Sequence, residues 1–170
     1  MKTIVTFIVA VFMVSCVEIP EGVKPVQNFN LDRYLGTWYE IARLNHRFEV
    51  GFKSVSVEYS RNDNGSIAVK NRGYIVRRRE WRDAEAKASF VGDPTVGHLK
   101  VSYIPLLYDS YLIFGLDEEY QHAFVCGDDT DHLWLLARTK VVDEEVIDDF
   151  VNKAQGLGFD TDELIFVQQF

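Results

Sequence analysis

The sequence predicts an all-β chain: an eight-stranded antiparallel up-and-down β-barrel with one C-terminal helix packed outside it. Three observations predict this. From Gly36 onward apolar residues recur every second position, turn residues interrupt them at short intervals, and one late amphipathic segment departs from the pattern. The chain has 170 residues, 47% hydrophobic and 26% charged, which makes a single domain with a sizeable core the default. A net charge of −8 argues against a nucleic-acid partner, because phosphate binding needs clustered positive charge. Aromatics reach 14%, more than closing a core requires. With only Cys16 and Cys126, this is not a disulfide scaffold.

The N-terminus reads as an address. Met1-Lys2-Thr3 is a short positive start, and residues 4–14 form an uncharged run. The run has the length of a signal-peptide apolar region and falls short of a ~20-residue membrane span. Met13-Val14-Ser15-Cys16 resembles the bacterial lipobox, in which the cysteine is acylated and becomes the new N-terminus. That division gives a leader at 1–15, a lipidated tether at 16–27 containing Pro20 and Pro25, and a barrel domain at 28–170. Acyl chains on Cys16 would anchor the chain to a membrane, each buried methylene adding ~0.8 kcal/mol. Val17 after the cysteine, rather than Asp, resembles outer-membrane sorting. An ordinary secretory signal with an unrelated cysteine fits the same residues.

The strands follow in order. Residues 38–43 form the first, and Val55, Val57 and Tyr59 alternate with polar residues in the second. Ile67 and Val69 mark the third, Ala84, Ala86, Ala88 and Phe90 the fourth, and Leu99, Val101 and Tyr103 the fifth. Apolar runs at 111–116, 123–126 and 133–137 complete eight. Asp63-Asn64-Gly65 is a hairpin turn and Gly92-Asp93-Pro94 a break. Asp143 can cap a helix whose Val146, Ile147, Phe150, Val151 and Ala154 share a face, ended by Gly156 or Gly158. A short strand at 164–168 follows. Small side chains at 84, 86 and 88 suit a wall that leaves space for one small ligand. A filled sandwich fits the alternation equally.

Three segments resemble the lipocalin family. Gly36-Thr37-Trp38 resembles its first-strand G-x-W motif. Asp117-Glu118-Glu119-Tyr120 resembles T-D-Y, with Leu116 for the threonine and one insertion, and Arg138 stands where the family has its arginine after the last barrel strand. Together with Cys16, the chain resembles the bacterial outer-membrane lipoprotein lipocalins, an apolipoprotein D-like subgroup. The resemblance implies that Gly36, Trp38, Asp117, Tyr120 and Arg138 are structural, with Arg138 on Trp38 at the closed end. It also implies a periplasm-facing, outer-membrane location and binding, storage or transport of fatty acids or lysophospholipids, without a cofactor, in membrane maintenance.

Strand parity extends the reading. If Arg138 points inward so do Leu136, Trp134 and His132, and if Trp38 does so do Glu40 and Ala42. The ligand wall is then expected from Val69, Asn71, Ile75, Ala86, Ala88, Phe90, Tyr111, Ile113, Trp134 and Leu136, with Tyr108 at the mouth. Such a wall is apolar and aromatic, with no basic cluster deep inside, and suits an acyl chain with its headgroup at the rim. The rim would carry His46-Arg47-Phe48, Arg77-Arg78-Arg79-Glu80-Trp81-Arg82 and Leu106-Leu107-Tyr108, opposed by acidic Asp128-Asp129-Thr130-Asp131. It reads either as a headgroup contact or as solvated hairpin tips. No G-x-S-x-G, H-E-x-x-H, C-x-x-C or P-loop occurs, and the four histidines lack metal-ligand spacing. The expectation is therefore a binding protein and not an enzyme, without catalytic or metal sites. Cys126 is the one nucleophile an enzyme could use, a ligand-free scaffold is a third reading, and a homodimer is left open.

Overall fold

A computed structural model describes residues 19–46 and 49–170; the leader, Cys16, and Arg47 and Phe48 of the rim lie outside the described residues. A short helix α1 (Leu31–Tyr34) precedes eight barrel strands. These are β1 (Gly36–Arg43), β2 (Phe52–Arg61), β3 (Ile67–Ile75), β4 (Glu80–Phe90), β5 (His98–Ser102), β6 (Asp109–Leu116), β7 (His122–Cys126) and β8 (Leu133–Ala137). Helix α2 (Glu144–Gly156), one 3-10 turn (Thr161–Glu163) and a short β9 (Ile165–Phe166) follow. Each of the eight barrel strands pairs antiparallel with the next, and β1 pairs with both β8 and β2, so the sheet closes.

Closure creates two separate cores, and which strands border each explains the two kinds of strand in the sequence. Inside the barrel, Trp38, Val57, Tyr59, Val69, Ile113, Val125 and Leu136 belong to one cluster. Outside, Phe150 and Ala154 of α2 are fully buried against Leu112, Phe124, Cys126, Leu133, Leu135 and Ala137. Strands β6–β8 are therefore covered on both faces and read as continuous apolar runs, whereas β2–β5 have a solvated face and alternate. Helix α2 begins at Asp143 as expected, but the Asp143 side chain makes no cap hydrogen bond; its carbonyl accepts from Val146 N at 3.1 Å.

Two bulges interrupt the alternation. On β1, Glu40 pairs with Leu136 but Ala42 with Leu135, so Ile41 is an extra residue. Ile41 and Ala42 both join the outer cluster, and Arg43 turns inward. The expected inward Ala42 is thus corrected. On β2 the register shifts between Lys53 and Ser56, with Ser54 in the left-handed region at φ +47°. The bulges part β1 from β2 above Tyr39, and the last residues lace the gap. Val167 N donates to Ile41 O at 2.8 Å, Ser54 N to Gln168 O at 2.8 Å, and Gln169 Nε2 to both Glu40 O (2.7 Å) and Val55 O (3.0 Å). The expected strand at 164–168 shortens to Ile165–Phe166, paired with Arg43 and Ala42.

Candidate functional site

The barrel interior has a floor, a wall and a polar belt below the mouth. At the floor, the Arg138 guanidinium lies 3.9 Å from the Trp38 ring centroid. It donates to the carbonyls of Arg33 (2.8 Å), Tyr34 (3.1 Å), Thr37 (2.9 Å) and Tyr120 (3.2 Å). Gly36 is at φ +94°, and a Cβ there would meet Arg138 Nη1 at 3.4 Å, which accounts for the glycine two residues before the tryptophan. Asp117 Oδ1 and Oδ2 accept from the backbone N–H groups of Gln121 and Glu119 at 2.8 and 3.1 Å, and the Tyr120 hydroxyl accepts from Asn30 N at 2.9 Å. Phe29 closes the floor against Tyr34, Phe90 and Tyr120. All five motif residues thus sit at one end, holding the turns around it.

Above the floor, the Tyr34 and Tyr59 hydroxyls each lie 2.7 Å from the Tyr111 hydroxyl. Burial drives all three pKa values far above the ordinary tyrosine value, so the groups are neutral. Three O–H groups sharing two hydrogen bonds leave one proton over, available to a water or a ligand oxygen. Val69, Ala86, Ala88, Ile113 and Leu136 are buried in the interior cluster, with Phe90, Tyr111 and Trp134 partly buried against it. Asn71 faces Ala84 across β3 and β4 and donates to the Tyr103 hydroxyl at 2.7 Å; Ile75, half-buried, pairs with Phe52 near the mouth. Tyr108 reaches the mouth but not the wall: its exposed ring lies 4.7 Å below Lys100 Nζ, on the outward face of β5.

The polar belt near the open end holds one buried arginine that strand parity did not place inside. Arg43 is 1% exposed. Its Nη1 donates to Glu40 Oε1 at 2.6 Å, its Nη2 to Glu49 O at 2.7 Å, and Glu49 Oε2 lies 3.7 Å from Nε. His46 Nε2 is 3.0 Å from Glu49 Oε2, and its ring packs on Trp134 and His132. Burial, reinforced by the nearby Glu49 charge, pushes the Glu40 carboxyl up to about 8 despite Arg43. Burial alone would raise Glu49 too, but the His46 hydrogen bond and charge, with Arg43, hold it below the ordinary carboxylate value. Parity could not show this cluster, because residues 40 and 43 share a face only through the bulge at Ile41.

Two further groups lie elsewhere. Cys126 is fully buried in the outer cluster, and burial raises its thiol to about 12. At the mouth, Asp128, Asp129 and His132 bring ligand-type atoms within 4.8 Å of one another, a closeness the sequence spacing did not suggest. His132 Nδ1 is already 2.6 Å from Asp129 Oδ1.

Comparison with known proteins agrees with this geometry. A family model described as a lipocalin-like domain matches residues 29–169. The chain is 47% identical over 170 residues to the outer membrane lipoprotein Blc of Vibrio cholerae, covering 99% of each. It is 48% identical over 150 residues to the outer membrane lipoprotein Blc of Escherichia coli K12, covering 88% of this chain and 85% of the relative. Among solved structures, the cockroach allergen Per a 4 superposes with a TM-score of 0.70 at 20% identity, covering 91% of this chain and 96% of that one.

Proposed function

This chain belongs to the lipocalin family as a periplasm-facing outer-membrane lipoprotein, and from that premise we propose that its barrel takes up and carries a fatty acid or lysophospholipid. One observation carries the reading. Among the described residues, the interior wall from Trp38 to Trp134 is apolar and aromatic, and the polar groups of Glu40, Arg43 and Glu49 gather near the open end. An acyl chain fits the wall, and a polar headgroup fits the belt and rim. In this reading Cys16 carries the acyl anchor and the ligand leaves unchanged. The position of Cys126 supports carriage over chemistry, because its thiol lies on the outer face of β7 and is held protonated.

Native mass spectrometry of protein extracted from membranes tests the proposal. The expected spectrum carries adducts of fatty-acid or lysophospholipid mass, and the N-terminal peptide carries acyl chains on Cys16. An Ala86→Phe variant that melts normally should lose the adduct, since the new ring occupies the wall. Retained adduct in that variant, or no adduct in the native protein, would overturn the reading. A Cys126→Ser variant should bind as the native protein does; a product formed from the lipid, and lost in that variant, would favour an enzyme.

A further inference from the structure

The loop between β5 and β6 presents apolar side chains in a way the fold itself does not use. Ile104 O accepts from Leu107 N at 3.1 Å, with Pro105 second and Leu106 third in the turn. Leu106 has φ +73°, so this is the geometry of a type II turn, whose third position favours glycine. A leucine occupies it instead, 86% exposed, between Ile104 at 61% and Leu107 at 63%. The left-handed backbone at a leucine costs stability, and the exposed side chain buries too little area to offset it.

Neighbouring features share this character. The adjacent β3–β4 turn holds exposed Val76, Arg77, Arg78 and Arg79. Just below it, on the outer face, Tyr74, Trp81 and Phe170 form an aromatic triangle with ring centroids 5.4–6.1 Å apart. In barrel order the β3–β4 turn lies across the mouth from the β7–β8 loop, whose Asp128, Asp129 and Asp131 are exposed. The mouth is therefore polarised, with arginines on one side, carboxylates on the other and the apolar β5–β6 tip between them.

We infer that the protein docks mouth-down and tilted on a phospholipid bilayer, the tip at Leu106 entering the interface and Arg77, Arg78 and Arg79 meeting lipid phosphates. Three features select a bilayer as the occupant. Arginines beside interfacial aromatics complement phosphate headgroups, whereas the acidic loop is held away from them. The tip is a few isolated apolar side chains flanked by charge, which suits shallow insertion. Only Val17 and Glu18 separate Cys16 from Ile19, a reach of at most about 11 Å, so an anchor at Cys16 keeps the body against the membrane. The contact deepens the lipid-carrier reading by naming where lipid enters.

The test uses the full acylated chain in vesicles of phosphatidylethanolamine and phosphatidylglycerol. An environment-sensitive fluorophore is attached at Leu106→Cys, at Asp131→Cys on the acidic β7–β8 loop, or at Val141→Cys on an exposed loop at the closed end. With nitroxide-bearing phospholipid in the vesicles, quenching at position 106 should exceed that at 131 and 141 severalfold, with a blue-shifted emission. Arg77→Ser/Arg78→Ser/Arg79→Ser in the same chain should at least halve it. Equal quenching at 106 and 131 would assign the signal to lipid inside the barrel and overturn tilted docking. A blue shift without lipid quenching would assign the tip to a second copy of the chain and overturn it too. Co-bound lipid, read in the same samples by mass spectrometry, separates failure of the docking from failure of the carrier reading.

Discussion

Replacing Arg138 by alanine should destabilise the barrel while leaving its ligand in place. The guanidinium covers the Trp38 ring at 3.9 Å and donates to four carbonyls, those of Arg33, Tyr34, Thr37 and Tyr120. These come from α1, the start of β1 and the β6–β7 turn, so one side chain ties three segments across the floor. The cation–π contact contributes about 1–2 kcal/mol and each charged hydrogen bond about 1.5–3 kcal/mol when fully desolvated. Arg138 is only partly buried, so solvent screens much of the sum, and a net loss of about 2–4 kcal/mol is expected. At roughly 2–4 °C per kcal/mol for a chain of this size, Tm should fall by about 5–15 °C. Arg138→Lys should fall between, because an ammonium cannot reach four carbonyls from one plane. Thermal unfolding read by circular dichroism measures the shift, and native mass spectrometry counts bound ligand at a temperature where both proteins are folded. An unchanged Tm accompanied by ligand loss would refute the structural role of this residue.

Four other outcomes follow from the polar groups of the interior and the tail. Arg43→Met should lower the urea midpoint, since it takes the shared donor from the Glu40 carboxyl and from the ionised Glu49 carboxylate, and adding Glu40→Leu should recover only part of the loss. Because the folded Glu40 carboxyl titrates near 8, the folded state holds more protons than the unfolded one between about pH 5 and 8. Stability should therefore decline as pH rises through that window, and Glu40→Gln should flatten the slope of urea midpoint against pH. Tyr111→Phe strips the Tyr34 and Tyr59 hydroxyls of their shared partner and should cost about 1–3 kcal/mol by the same assay. Gln169→Ala should speed amide exchange at Ile41, Ser54 and their neighbours, where the tail bridges β1 and β2; exchange unchanged there would show that the strands hold without it.

The elements most legible in the residues were those whose environment is uniform along their length. Strands β2–β5 alternate because one face meets the interior and the other water, and α2 shows its stripe because Phe150 and Ala154 cover a single patch of sheet. The floor was legible for another reason: Gly36, Trp38, Asp117, Tyr120 and Arg138 each satisfy a local geometric demand that few other residue types meet. Parity failed beyond the first irregularity. Ala42 was expected inside and faces α2, while Arg43 enters the barrel, because Ile41 bulges against β8. Tyr108 was expected at the mouth and lies there, with its ring under Lys100 on the outer rim.

By itself, then, the sequence determined the eight strands, the outer helix and the residues that close one end. Hydrophobic period and turn chemistry act over a few residues and can be read one segment at a time. Only the tertiary structure decided what lies inside the open half, where Glu40, Arg43, His46 and Glu49 converge and residues 165–170 close the gap between β1 and β2. A bulge is set by how two strands of different curvature meet, and a one-residue slip reverses every side chain beyond it. That choice is made between segments distant in sequence, so no local pattern carries it.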